Sequence, residues 1–256
     1  MKKIVLTFLM VMSALLYGQK LGNINSGEEL KYRIHYGLLN AGVATLSTKI
    51  TDFQGQKHLY VRGVGRTTGA VNAFFKVDDL YESFINYNTG LPSYYVRNVK
   101  EGGYSQHLQT VFNHNNQTLI LTDKKNNTGS RVLKSVKGVQ DMLSAFYYLR
   151  SLDQSELRVG SVKNLNVWID DEMFPFSLKV AGVETIRTKF GRISCLKIVP
   201  VVQSGRVFRA KEGVTLWVSN DRNHIPVSIK ADLVVGSLKA DLDSYKNVKY
   251  NLAFSK

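Results

Sequence analysis

The chain has 256 residues, with 34 Lys and Arg against 20 Asp and Glu, a formal charge of +14, and one cysteine. A single cysteine excludes an internal disulfide framework and a cysteine-rich zinc site. The basic residues are scattered, with no Lys/Arg block, RNA-binding signature or zinc-finger spacing, so no nucleic-acid partner is expected.

The first element is MKKIVLTFLMVMSALLYGQK. Lys2 and Lys3 precede the apolar run Ile4–Leu16, and Gly18 stands before the polar Gln19, the layout of a secretory signal peptide. The run is about 13 residues long, against the roughly 20 that a membrane-spanning helix needs. Residues 1–18 are therefore expected to be a signal peptide, and 19–256 a single exported, β-rich, periplasmic domain that is not an integral membrane protein. No cysteine adjoins the expected cleavage point, so no lipid anchor is expected.

From Leu30 to Phe254 the pattern alternates with period two, broken by Gly, Asn and Asp clusters, as antiparallel strands require. The predicted strands are Leu30–Tyr36, Gly42–Thr51, His58–Val64, Val77–Tyr87, Tyr94–Lys100, Tyr104–Phe112 and Thr118–Thr122. A second series follows at Ser161–Trp168, Phe174–Val180, Glu184–Thr188, Arg192–Val202, Val214–Val218, Ile225–Val235 and Leu238–Phe254. Between the two series, Val139, Met142, Leu143, Phe146 and Leu149 recur at steps of three and four, which predicts one principal helix near 139–150 packed on the sheet. A subdivision near 155–160 is compatible with this order. The fold class expected is all-β, mainly antiparallel, as a curved sheet or a partly open barrel or sandwich.

The last hairpin allows a register to be worked out. Gly236-Ser237 as a two-residue turn pairs Val235 with Leu238 and Ile229 with Ser244. It also sets Asp232 across from Asp241, with Lys230 and Lys239 nearby. Two facing carboxylates can act as acid and base, but flanked by lysines they read as a solvated charge ladder.

Other polar clusters read as structure. Asn220-Asp221-Arg222-Asn223-His224 joins two strands with residues that bond their own backbone, so Trp217–His224 is a predicted turn. Asp170-Asp171-Glu172 lacks calcium-loop spacing, and His35, His58, His107, His114 and His224 contain no zinc pair, so no metal is expected. Cys195, between Ile193 and Leu196, reads as a core hydrophobe. No nucleophile elbow, phosphate loop or dinucleotide fingerprint occurs, so no cofactor is expected.

Two predicted loops are apolar instead of polar. Phe74 and Phe75 follow the turn-like Thr67-Thr68-Gly69, and Met173 and Phe174 follow the acidic knot. Loops normally run over the surface, so these residues either fold onto the core or meet an apolar ligand.

Gly27-Glu28-Glu29-Leu30-x-Tyr32-x-Ile34-x-Tyr36-Gly37 with Ala41-Gly42 resembles the opening of the DUF3108 family. Asp79-Leu80-Tyr81-Glu82-Ser83, Tyr147-Tyr148-Leu149-Arg150 and Leu216-Trp217-Val218-Ser219-x-Asp221 with Ile225-Pro226-Val227 resemble it further on. The resemblance implies an exported, mostly β bacterial protein without an established activity, and it supplies no catalytic residues. Together these readings lead to an envelope module that binds or carries a lipid, another apolar ligand or a segment of an envelope protein. Phe74, Phe75, Met173 and Phe174 are its candidate contacts. A hydrolase of envelope polymers, using a carboxylate pair assembled in three dimensions, is the alternative.

Overall fold

The computed structural model describes residues 21–201 and 213–256. The expected signal peptide lies outside the described residues. The first series of strands is β1 (Glu29–Tyr36), β2 (Leu39–Phe53), β3 (Gln56–Thr67), β4 (Asp78–Asn86), β5 (Pro92–Glu101), β6 (Tyr104–Asn113), β7 (Thr118–Asp123) and β8 (Ser130–Lys134). The second is β9 (Val162–Ile169), β10 (Glu172–Thr188), β11 (Gly191–Val201), β12 (Val214–Ser219), β13 (Pro226–Asp232) and β14 (Ser237–Lys246). Among the described residues two helices, α1 (Val71–Phe74) and α2 (Met142–Arg150), interrupt them.

All fourteen strands belong to one sheet in which each strand pairs with its sequence neighbour, except that β1 pairs with β14 and β8 and β9 form the two edges. The paired strands are antiparallel throughout, so the architecture is the curved antiparallel sheet that the alternation calls for. The sheet curls around α2. Leu143 and Tyr147 pack with Leu59, Val61 and Ile85 of β3 and β4, and Gly63 leaves room for the Leu143 side chain. Leu149 and Leu152 pack instead with Leu165, Val167, Leu178, Val180, Leu196 and Ile198 of β9 to β11. Trp168, next in β9, clusters with Tyr95, Leu108, Phe112, Leu119 and Leu121 of β5 to β7. The β9 edge is thus tucked between the helix and the first half of the sheet. Its backbone is covered where Gln140 N donates to Asn166 O (2.8 Å) and Trp168 N donates to Gln140 O (2.7 Å).

Several local readings are corrected by the structure. The helix starts at Met142, three residues after Val139, because Asp141 caps it. Its carboxylate accepts from Ser144 N and the Ser144 hydroxyl accepts from Asp141 N, a reciprocal capping box. Val139 is buried ahead of the helix, against Trp168. The buried face is rotated from the predicted stripe: Leu143, Ser144, Tyr147 and Arg150 face inward, Met142 is exposed and Phe146 is half-buried. The polar Ser144 and Arg150 hid this face from a hydrophobicity count. β8 and α1 were not expected. β10 is one strand, kinked by an irregularity between Val180 and Gly182, where two strands were expected. Met173 to Phe176 belong to this strand and are not a loop, because the β9–β10 connection is a two-residue turn. The last hairpin is shifted, with Ala231 paired to Leu238, Ile229 to Ala240 and Asp232 to Ser237. A four-residue loop, Leu233 to Gly236, replaces the expected two-residue turn, and Asp241 faces Ser228 instead of Asp232.

Trp217–His224 does contain a turn. Asp221 accepts from Asn223 N and from the Ser219 hydroxyl, both at 2.8 Å. The turn is buried at its far side, where Asn223 O accepts from Arg150 Nε (3.2 Å). Arg150 is 1% exposed and binds Glu28 with both terminal nitrogens, at 2.5 and 2.8 Å. Burial opposes its charge, but the hydrogen bonds and charge of Glu28 outweigh this and hold its pKa above the usual value. One bidentate pair therefore fixes the segment before β1, the end of α2 and the β12–β13 turn to one another.

Candidate functional site

Because every neighbouring pair is antiparallel, chain connections alternate between the two ends of the sheet. The β1–β2, β3–β4, β5–β6, β7–β8, β9–β10 and β13–β14 connections share one end, and α2 enters from the other. The shared end carries large apolar side chains in water. Leu38 is fully exposed, Phe74 is 89% exposed and Val234 is 81% exposed, while Leu39, Phe75 and Val235 are more than half exposed.

These tips lie side by side. The Tyr36 hydroxyl donates to Val235 O (2.7 Å), tying the β13–β14 loop to β1. Thr68 N donates to Ala41 O (3.0 Å), bringing the connection that carries α1 against β2. Phe75 then lies over Gly102 in the β5–β6 turn. A Cβ there would sit 2.8 Å from Phe75 Cε2, and Gly102 has φ +58°, so the position suits only glycine. An apolar rim runs along three connections, with Phe75 resting on a fourth. Isolated exposed apolar residues are ordinary, but a contiguous run of them marks an interaction surface.

Phe74 and Phe75 stand on this rim. Met173 and Phe174 lie just past the β9–β10 turn at the same end, but within β10. Met173 packs partly buried against the Trp168 cluster, and Phe174 is half-buried opposite Val167. Sequence reasoning missed Val234 and Val235 because they read as the end of the strand Ile225–Val235, and it missed Leu38 and Leu39 although they fall between two predicted strands. Consecutive apolar residues beside a glycine were the available signal, since neighbours in a strand cannot both face one core.

Below the rim, charged groups latch the roll. Arg97 on β5 pairs with Asp170 (3.0 Å) and donates to Gln106, and Arg131 on β8 pairs with Asp171 (3.6 Å). Two members of the acidic knot thus hold the β9–β10 turn against the first half of the sheet. No group of three His, Cys, Asp or Glu suited to a metal occurs among the described residues. Asp79 accepts from Lys100 N (3.0 Å), and burial, aided by the adjacent Glu101 carboxyl, pushes its pKa up to about 6. The Glu101 carboxyl acts on Asp79 through its nearness, and the Arg97 charge opposes the rise. Asp241 instead accepts from Ser228 Oγ (2.6 Å) and contacts His35 Nε2 (2.8 Å), and Asp232 pairs with Lys230 (2.7 Å). Cys195 is fully buried and its pKa is pushed up to about 12 by that burial, as a core residue requires.

Among solved structures, the chain is similar in fold to a β-barrel-like protein of the DUF1849 family from Brucella abortus. That likeness has a TM-score of 0.55 and 9% identity, and covers 86% of this chain and 97% of the other. A DUF1089 family protein from Pseudomonas aeruginosa overlaps with a TM-score of 0.40 and 8% identity, over 72% of this chain and 87% of the other. No curated protein matches the chain in sequence. The family model for the protein of unknown function DUF3108 matches residues 31–243, which take in the curled sheet, the helix within it and most of the apolar rim, and the chain belongs to that family.

Proposed function

We propose that the protein is a non-enzymatic binding or carrier module of the cell envelope, exported to the periplasm as one domain over residues 19–256. Its apolar rim takes up an apolar ligand or an apolar segment of an envelope partner, and Phe74 and Phe75 are the aromatic part of the contact. The carrying observation is the run of exposed Leu38, Leu39, Phe74, Phe75, Val234 and Val235 on adjoining connections. Full burial of one such side chain contributes about 1.5–3 kcal/mol, so the six together contribute about 9–18 kcal/mol, and most of them must be engaged for micromolar binding, about 8 kcal/mol, to remain after an association cost of roughly 4 kcal/mol or more. Met173 and Phe174, half-buried in β10 at the same end of the sheet, are the inner part of the contact. The inside of the roll is filled by α2 and the Trp168 cluster, which favours docking at the rim over enclosure of a whole lipid.

The test is native mass spectrometry and lipid extraction of protein purified from its own envelope, comparing wild type with Leu38→Asp/Phe74→Asp. Both residues are exposed, so the variant should unfold at the wild-type urea midpoint while losing the co-purifying lipid or protein. A wild-type protein that carries nothing, or a variant that retains the same cargo, overturns the reading. N-terminal sequencing of the same material checks export, and a retained Met1 would refute it.

A further inference from the structure

The two edges of the sheet are treated differently. The backbone of β9 is covered by Gln140, whereas β8 is the last strand on its side and pairs only with β7. Ser135 N donates to Gln117 O (2.8 Å), one step beyond the opposed Lys134 and Thr118. Bonded and non-bonded pairs alternate along an antiparallel ladder, so Leu133 and Arg131 exchange bonds with β7. Ser130, Val132 and Lys134 therefore aim their amides and carbonyls away from the sheet. Among the described residues no hydrogen bond reaches these outward groups. Four of the five residues of β8 are exposed.

The centre of this edge is apolar. Tyr60, Phe84, Tyr94, Val111, Ile120 and Val132 stand directly opposite one another from β3 to β8, forming one row on the face of the sheet away from α2. Its inner members shield each other, with the Phe53 ring stacked 4.4 Å from Phe84 and Phe84 lying 4.9 Å from Tyr60. The cover thins outward, from Val111 at 37% exposed and Ile120 at 40% to Val132 at 71%. Edges built to refuse other strands carry a charge, a proline or a bulge at their centre, and here the centre is a bare valine.

The surroundings are one-sidedly basic. Residues 123–137 hold Lys124, Lys125, Arg131, Lys134 and Lys137 against the single anion Asp123. Asp123 is engaged by its own turn, accepting from Lys125 N and Asn126 N at 3.0 Å each, and Arg131 is held by Asp171. Lys124, Lys134 and Lys137 form no ion pair among the described residues. We infer that β8 accepts an added strand from another protein, an extended acidic segment with an apolar residue across from Val132 and a carboxylate across from Lys134. Main-chain bonds to the outward groups supply the affinity of such an addition, and the alternate side chains supply the selection. A second copy of the chain fits poorly, because β8 paired with itself about Val132 sets two positively charged hairpins against each other.

This edge shares no residue with the rim and is tested apart from it. The 15N-labelled protein is titrated with the acetylated and amidated peptide GETVTEG, one face of which reads Glu-Val-Glu. GKTVTKG and the isomer GEVTTEG, which moves the valine to the other face, are run in parallel. Saturable shifts are expected at the amides of Ser130, Val132 and Lys134, larger than those at Arg131 and Leu133, with binding about three- to tenfold weaker for each of the other two peptides. Lys134→Glu, at an exposed position, should reverse the preference between GETVTEG and GKTVTKG. Val132→Pro removes an N–H that bonds nothing within the sheet, so it should keep the wild-type urea midpoint while weakening the peptide. The inference fails if the three edge amides do not move, or if GEVTTEG binds as well as GETVTEG, which would leave charge alone. It fails equally if sedimentation shows a dimer that Val132→Pro dissolves, since the edge would then belong to a second copy.

Discussion

Replacing Glu28 by Leu should be among the most destabilising single changes available to this protein. Arg150 would keep its charge, 1% exposed, with only the Asn223 carbonyl and the face of the Tyr147 ring, 5.2 Å away, for company. Removing one member of a buried ion pair costs about 3–5 kcal/mol, because the remaining charge has been taken out of water without compensation. For a protein of this size that corresponds to a fall in Tm of roughly 6–20 °C. Replacing both members, Glu28→Leu with Arg150→Met, removes the stranded charge and should recover part of the loss, giving a coupling of at least about 1.5 kcal/mol. Urea unfolding of the four proteins in this cycle measures it, with the slope m checked for constancy. If Glu28→Leu costs less than about 1 kcal/mol, or the double variant loses the sum of the two singles, the pair is not the clamp described above.

Three further outcomes are expected. Burial pushes the Asp141 pKa up to about 6, against the opposing hydrogen bonds of Ser83 and Ser144, so its contribution is fully present below about pH 4 and is lost as pH rises through about 6. Asp141→Asn keeps an oxygen for Ser144 N and cannot ionise, so its stability should change less than wild type's between pH 4 and 7; an equal change refutes this. Tyr95 is 2% exposed with an unpartnered hydroxyl, so Tyr95→Phe should leave the urea midpoint unchanged or raise it, and a loss above about 1 kcal/mol would reveal a partner. Cys195, fully buried, should react with a thiol reagent only on unfolding, and fast labelling of the native protein would contradict its burial.

The strands were legible because a sheet with one wet face writes its geometry into every second residue. In β3, Leu59, Val61 and Gly63 are buried while Tyr60 and Arg62 between them are not, and the period survives in the sequence. The helix was legible as an element but not in its orientation, since its buried face includes Ser144 and Arg150, whose partners Asp141 and Glu28 come from outside the helix. β8 has the burial of an exposed edge, with little apolar contrast to betray it. The register of the last hairpin failed because Leu233, Val234 and Val235 have strand-like composition and yet form its loop. Phe74 and Phe75 could be singled out as apolar residues in a connection.

The pairing of β1 with β14 has a consequence for how the chain reaches this state. Every other ladder joins consecutive strands and needs only a short loop to close, so each half of the sheet can zip by itself, whereas Glu29 meets Lys246 across more than two hundred residues. This seam is therefore the last to form and the first to part. A chain caught before closure exposes two raw edges in what will become the middle of the sheet, the situation in which strands recruit strands from other molecules. Lys31, Arg33 and His35 on one edge, and Lys239, Asp241, Asp243 and Lys246 on the other, place a charge at nearly every outward position of that seam. Once closed they pair across it, as Arg33 does with Asp243 and His35 with Asp241, and while it is open they keep each half from finding the wrong neighbour.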